Sequence, residues 1–259
     1  MTGRTVKKFT QIYMDGYALT SYSREIGPLK QEFDAADLTV LSDEVKGSLQ
    51  NQVSLGIGTF NGVFDMTAEG EGFTPLSLLW DAGNVRNVMI PIGFRATVAA
   101  GDPTYCGAFQ QLDFMSTQDG GAVTCTANFG EWDANTPMLY TKPWGVLVHP
   151  YGAETAVNSA VAPAGLNNGA ASAAGGWLMY QVFAGDGDAT IKIQDSATNA
   201  NDGAFADLSG ATSGLIDCSS AVTGIVSLGI TAAVRQYLRP QIVFGTANTV
   251  TYALAFIRG

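Results

Sequence analysis

Short runs in which apolar and polar residues alternate, separated by Gly, Asn, Asp and Pro, recur along the whole chain. A period of two is strand spacing, because successive side chains leave a strand on opposite faces. Val53, Leu55 and Ile57 fall on one face, with Ser54, Gly56 and Gly58 on the other. The large residues then change parity to Phe60 and Phe64, with Gly62 between them. A parity switch beside glycines predicts a bulge or sharp bend, since a one-residue slip flips every later side chain. Upstream, Asp43 to Gln52 is polar and follows neither a strand nor a helix period. The expectation is a mobile loop feeding a bent, half-buried strand, and such loops reach for partners. Over the wider segment 34–52, the candidate contact residues are Asp34, Asp37, Asp43, Glu44, Lys46, Gln50 and Gln52.

The same reading covers the rest of the chain. Phe9 to Leu19 predicts a strand, a turn at Asp15-Gly16 and the start of the next strand. Ile26 to Phe33 is a further extended candidate. Thr74 to Ala82 predicts one short helix, with Thr74 as N-cap, Pro75 at the first helical position and Gly83 as the stop. Leu76, Leu79 and Trp80 would then form its packing stripe. Val88 to Phe94, interrupted by Pro91, reads as an edge strand. Tyr105 to Met115 and Ala122 to Phe129 flank the hairpin signal Gln118 to Gly121, and Val123, Cys125, Ala127 and Phe129 share a face. Residues 152–176 turn rich in Ala, Gly, Asn and Ser, which suits a linker or loose edge. Beyond them, Trp177 to Phe183 is apolar on both faces, Thr190 to Gln194 alternates, and Tyr237 to Phe244 and Thr249 to Ile257 read as a final pair. The fold class is therefore mainly β. Residues 1–150 form a β-sandwich or barrel closed against the helix, and residues 151–259 form a second β domain.

Composition narrows the function. The 13 basic and 23 acidic residues give a net charge of −10, with 16 acidic against 9 basic in residues 1–150. Gripping DNA requires a positive face, and the largest basic cluster is Arg4, Lys7 and Lys8. The acidity suits solubility, or a surface that must not hold DNA. No apolar run reaches the roughly 18 residues needed to span a bilayer. The N-terminal segment carries basic residues without a following apolar stretch, so a cytoplasmic folding site is expected.

No catalytic or metal residues are assigned. The single histidine, His149, lies beside Pro150 and aromatic residues and reads as structural. The carboxylate pairs Glu69/Glu71 and Asp186/Asp188 are embedded in glycines, which is turn composition. Cys106, Cys125 and Cys218 have no metal-ligand spacing and suit a reduced compartment, with Cys125 as a small core residue.

The order of these elements carries a resemblance. The DGY turn, the LTVLSDEVKGSL segment (Leu38 to Leu49), the glycine-bent strand ending FNGVFD, the helix, and the hairpin ending VTCTANF resemble the tube domain of siphophage major tail proteins. WLMYQVF, IKIQDSATNANDGAFADL, RQYLRPQIVF and TYALAFIRG resemble the additional β-sandwich domain that some members carry. The resemblance implies a structural virion protein without enzymatic activity or cofactor. Its copies would associate into rings, six-fold or, if the second domain were a disguised tube domain, three-fold. The rings would stack into the tail tube, and viral DNA would pass through the lumen without specific binding. The loop before the bent strand would reach the neighbouring ring, and the C-terminal domain would decorate the exterior. Tape-measure, terminator and distal tail proteins would be its other partners, with no membrane involved. The location would be the virion tail, assembled in the host bacterial cytoplasm.

The loop carboxylates could meet Lys46 or Arg86 of a neighbouring copy. Two other functions fit the residues. One is a lectin-like carbohydrate-binding module in which Trp132, Trp144, Tyr151 and Trp177 stack on sugars. The other is a related tail component, a terminator or initiator.

Overall fold

The computed structural model describes residues 10–37, 48–63, 77–94, 97–119, 122–132, 142–156, 164–199 and 204–259. The architecture is mainly β, built from antiparallel ladders without long helices. The chain forms two compact units that interleave in sequence. The larger holds Met1–Tyr22, Arg86–Gly107 and Pro137–Gly259, and the smaller holds Ser23–Val85 and Ala108–Thr136. The composition shift points to a division at residue 150, a position inside the strand Trp144–Thr155.

The larger unit contains a β-sandwich. One sheet includes β10 (Trp144–Thr155), β12 (Gly176–Gly185), β15 (Val222–Ser227) and β17 (Thr249–Arg258), with β17 between β10 and β12. The other has the order β11 (Leu166–Asn167), β16 (Tyr237–Phe244), β13 (Asp188–Ser196), β14 (Ala206–Asp217). Their inner faces meet in one cluster. Leu178, Tyr180, Val182, Val250, Tyr252, Leu254 and Phe256 come from the first sheet, and Ile191, Ile193, Leu238 and Ile242 from the second. The alternation of Val250, Tyr252, Leu254 and Phe256 thus marks the core face, as expected. The expected pairing of the last two strands is corrected. β16 pairs with β11 and β13, and β17 with β10 and β12, so residues 245–248 carry the chain from one sheet to the other.

A second apolar layer explains why β12 is buried on both faces. β1 (Tyr13–Met14) and β2 (Tyr17–Ala18) form the hairpin expected around Asp15-Gly16, with positive φ at both turn residues. β1 also pairs with β5 (Val85–Pro91), which pairs in turn with β6 (Pro103–Gln111). β5 therefore has strands on both sides, not one. Pro91 is tolerated because it is the last residue of β5. Gln181, fully buried on β12, accepts from the Gly16 N–H at 2.5 Å and donates to the Asn87 carbonyl at 2.9 Å. Substituting Gln181→Leu would orphan the buried Gly16 N–H while the Asn87 carbonyl keeps its bond from Asp15. The expected loss is about 2 kcal/mol in urea unfolding.

In the smaller unit, β3 (Ser23–Asp37) and β4 (Ser48–Val63) form a long hairpin. On its other edge, β4 pairs with β8 (Ala122–Ala127) and β9 (Phe129–Trp132). β8 pairs with β7 (Met115–Asp119), closing the hairpin expected around residues 118–121. β9 pairs with the end of β6. Cys125, Ala127 and Phe129 are buried on the shared face, while Val123 is exposed. The expected bulge at the β4 glycines is absent. Register runs unbroken from Leu29↔Ile57 through Gly27↔Thr59 to Ile26↔Phe60, and the shifts lie at Ser23/Glu25 and Phe33/Ala35. The parity switch arises because β4 buries Leu55 and Ile57 on one face and Phe60 on the other. Gly58 is required for another reason: a Cβ there would collide with the Gly27 carbonyl of the paired strand. Of the expected helix, residues 74–76 lie outside the described residues, Ser77 is helical, and Leu78–Trp80 form a 3-10 turn.

Candidate assembly surface

Charge divides by unit more sharply than by sequence position. The smaller unit has 14 acidic and 3 basic residues, and the larger has 9 acidic and 10 basic. Essentially all of the net negative charge therefore belongs to the smaller unit.

Among the described residues, that unit also leaves its strand edges open. β3, 15 residues long, has a strand partner on one side only among the described residues, and β7 ends the ladder at the other edge. Long open edges template further pairing, so folded proteins normally shorten or distort them. The sandwich does so. β11 has two residues. β14 carries one extra residue between Thr190↔Leu215 and Lys192↔Thr212, then three more before Gln194↔Asp207. β3 has no comparable interruption between Glu25 and Phe33.

The β3–β4 hairpin is amphipathic. Leu29↔Ile57, Gln31↔Leu55 and Phe33↔Val53 place Leu29, Phe33, Val53, Leu55 and Ile57 on one face. Leu55 and Ile57 are buried, Leu29 and Val53 half-buried, and Phe33 is 38% exposed. The opposite face carries Lys30, Glu32 and Asp34, with Lys30 Nζ 3.1 Å from Glu32 Oε2. A pair this exposed adds under about 1 kcal/mol.

The strands behind the hairpin are held by a polar corner. The Asn128 N–H donates to Asp113 Oδ1 at 3.0 Å, and its side-chain Nδ2 donates to Asp113 Oδ2 at 2.8 Å. Thr59 Oγ1 donates to Asn128 Oδ1 at 2.6 Å. This corner joins β8 to β9 without a change of register against β4. Neither Asn128 nor Asp113 stands in a recognisable motif, and only the fold brings them together.

Both ends of the expected loop segment lie in strands. Asp34 is exposed on β3, Asp37 ends β3, and Gln50 and Gln52 lie within β4. Asp43, Glu44 and Lys46 fall outside the described residues, as do Phe64, Leu76 and the pair Glu69/Glu71. Of the expected packing stripe, Leu79 is fully buried and its carbonyl accepts from Gln111 Nε2, whereas Trp80 is 45% exposed. The suggested role of Arg86 in meeting a neighbouring copy is also corrected. Arg86 is buried, with Nη1 3.2 Å from Asp15 Oδ2 in the larger unit.

The remaining candidates have local partners. His149 Nε2 lies 3.1 Å from Glu154 Oε1, and its ring stacks on Tyr252 at 4.1 Å. Asp186 Oδ1 accepts from the Asn248 and Thr249 N–H groups, which hold its carboxyl below the usual carboxylate range. Among the described residues, no group of three or more His, Cys, Asp or Glu is placed to hold a metal. Cys106, Cys125 and Cys218 are buried free thiols. Of the four aromatics considered for sugar stacking, Trp177 is buried, Trp144 packs edge-on against Tyr105, and Tyr151 packs against Tyr13 and Phe183. Nothing is described of the Trp132 side chain.

Comparison with known proteins adds little. No family model matches the chain, and no curated protein matches it. Among solved structures, it is similar to the SPP1 Dit (gp 19.1) protein, described as a paradigm of hub adsorption apparatus in Gram-positive infecting phages. The TM-score is 0.33 and the identity 13%, over 96% of this chain and 98% of that one. A likeness at that level carries no argument.

Proposed function

We propose that the protein is a structural subunit of a bacteriophage tail, polymerising through its smaller unit into stacked rings that form the tail tube. The observation that carries this reading is the coincidence of open strand edges and nearly all the net negative charge in one compact unit. Open edges on both sides of a sheet allow heterologous pairing, which closes into a ring when the rotation between copies closes. Concentrated negative charge repels phosphate and suits a conduit that passes DNA without holding it. The order of sequence elements shared with siphophage tube proteins supports the tube over a terminator or initiator. The reading includes no catalysis and no cofactor. Other tail proteins are its expected partners, and the virion tail its expected location.

This reading predicts an unusual salt response. Copies that bring net charges of −11 together repel one another, and raising salt from about 0.1 to about 1 M shortens the screening length from about 10 to about 3 Å. Sedimentation velocity should therefore show more large assemblies at high salt. Assemblies that dissolve as salt rises would count against apposition of these acidic units.

A further inference from the structure

The sheet face that buries Leu55 and Ile57 is left open further along β4, toward β8 and β7. Along β4, β8 and β7, the rows read Glu25–Asn61–Thr126–Met115, then Gly27–Thr59–Asn128, then Val63–Thr124–Thr117. None of these residues is buried. On the opposite face of the same strands, Phe60, Cys125 and Ala127 are almost wholly inaccessible. The open face is thus a field of short hydroxyl and amide side chains, bounded by Glu25, Asp113 and the apolar Met115 and Val63.

These side chains are largely occupied with one another. Thr126 Oγ1 donates to Asn61 Oδ1 at 3.3 Å, Thr59 Oγ1 to Asn128 Oδ1 at 2.6 Å, and Thr124 Oγ1 to the Thr117 carbonyl at 3.2 Å. The Asn128 amide is further held by Asp113. Threonine is also stiff at χ1, so the surface is both chemically satisfied and rigid. Among the described residues in these rows there is no lysine or arginine, so the face offers phosphate no cation and no counterion release.

We infer that this threonine–asparagine face lines the passage for duplex DNA, an inference that rests on the tube reading above. β3 and β7 are the two edges of the sheet bearing this face. Pairing both edges with neighbouring copies would extend the face sideways into a continuous wall. Behind these rows Phe60, Cys125 and Ala127 are already buried, so here the open face is the one left toward whatever the closed wall encloses. Low adhesion then has two sources: a cation-free, internally hydrogen-bonded lining, and an acidic unit around it.

Cysteine accessibility tests this directly, because the three native thiols are buried and give little background. Thr117→Cys lies on the face, and Leu215→Cys is an exposed position on β14 in the sandwich. Each variant is treated with N-ethylmaleimide or a bulky polymer-linked maleimide, as free subunits and as assembled tubes. Assembly should slow the bulky reagent at Thr117→Cys by about tenfold or more, while the small reagent still reacts. Leu215→Cys reports whether the bulky reagent is active on tubes. Bulky labelling of tubes at the free-subunit rate would overturn the lining and leave the tube standing. Protection from both reagents would overturn it as well, placing the face in an interface. If the wild-type chain makes no tubes under any condition, the tube reading fails and takes the lining with it.

Discussion

Replacing Phe33 with lysine is expected to stop assembly at concentrations where the wild-type chain polymerises, while leaving the subunit folded. Phe33 sits on the apolar face of the β3–β4 hairpin, beyond the point where that face is buried by its own subunit. Burying a phenylalanine against a neighbour contributes about 1.5–3 kcal/mol, and each 1.4 kcal/mol is tenfold in concentration. The critical concentration should therefore rise by roughly ten- to a hundredfold, and further if the lysine ammonium is desolvated. Because Phe33 is already partly exposed and β3 is an edge strand, the cost to the isolated subunit is small. Its melting temperature should move by no more than about 2 °C. Sedimentation velocity and thermal unfolding of the same preparation give both quantities. A variant that assembles like wild type would remove Phe33 from the interface.

A large loss of stability is expected at Gly16. Its φ is +79°, where a side chain adds about 1–2 kcal/mol of strain. A Cβ at Gly16 would also stand 2.5 Å from the Val182 carbonyl oxygen and 2.9 Å from Ala221 Cβ, so the β1–β2 turn would have to lift off β12. The hydrogen bond from Gly16 to Gln181 would be strained with it. Gly16→Ala should cost about 4 kcal/mol, roughly a 10 °C fall in melting temperature. Gly214→Ala separates strain from collision. Gly214 has φ +68°, and a methyl there would meet nothing within 4 Å, so its loss should stay near the strain alone, about 1–2 kcal/mol. Equal losses at the two positions would mean that the close approach beneath Gly16 contributes nothing.

Local chemistry is legible in the sequence; pairing across distance is not. Asp15-Gly16 and Gln118 to Gly121 announce hairpins because positive φ and tight reversal need those residues. Thr190 to Gln194 and Val250 to Phe256 announce half-buried strands by alternation. The length of β3 is hidden by Pro28 and by charges at Arg24, Glu25, Lys30 and Glu32, which lower strand propensity without preventing an edge strand. The β4 glycines point to a bulge because a parity switch and burial on two faces look alike in one dimension. Tyr237 to Phe244 and Thr249 to Ile257 look like a hairpin because a short link joins them, yet that link crosses between sheets.

The candidate surface is legible only in part. Asp34, Asp37, Gln50 and Gln52 belong to the right segment, but their polar pattern reads as a loop when they are strand residues. Phe33 and the polar corner at Asn128 give no separate signal, since their meaning comes from partners far along the chain. The charge division is blurred for the same reason. Counting at residue 150 mixes the acidic smaller unit with parts of the near-neutral larger one, because the chain crosses between units four times.

Self-assembly of the smaller unit into stacked rings is the central claim, and negative-stain electron microscopy of the purified full chain at high protein and salt concentration tests it most directly. Rings of uniform diameter and tubes built from them are the expected images. A field of single subunits at every concentration, even with tail initiator added, would contradict it.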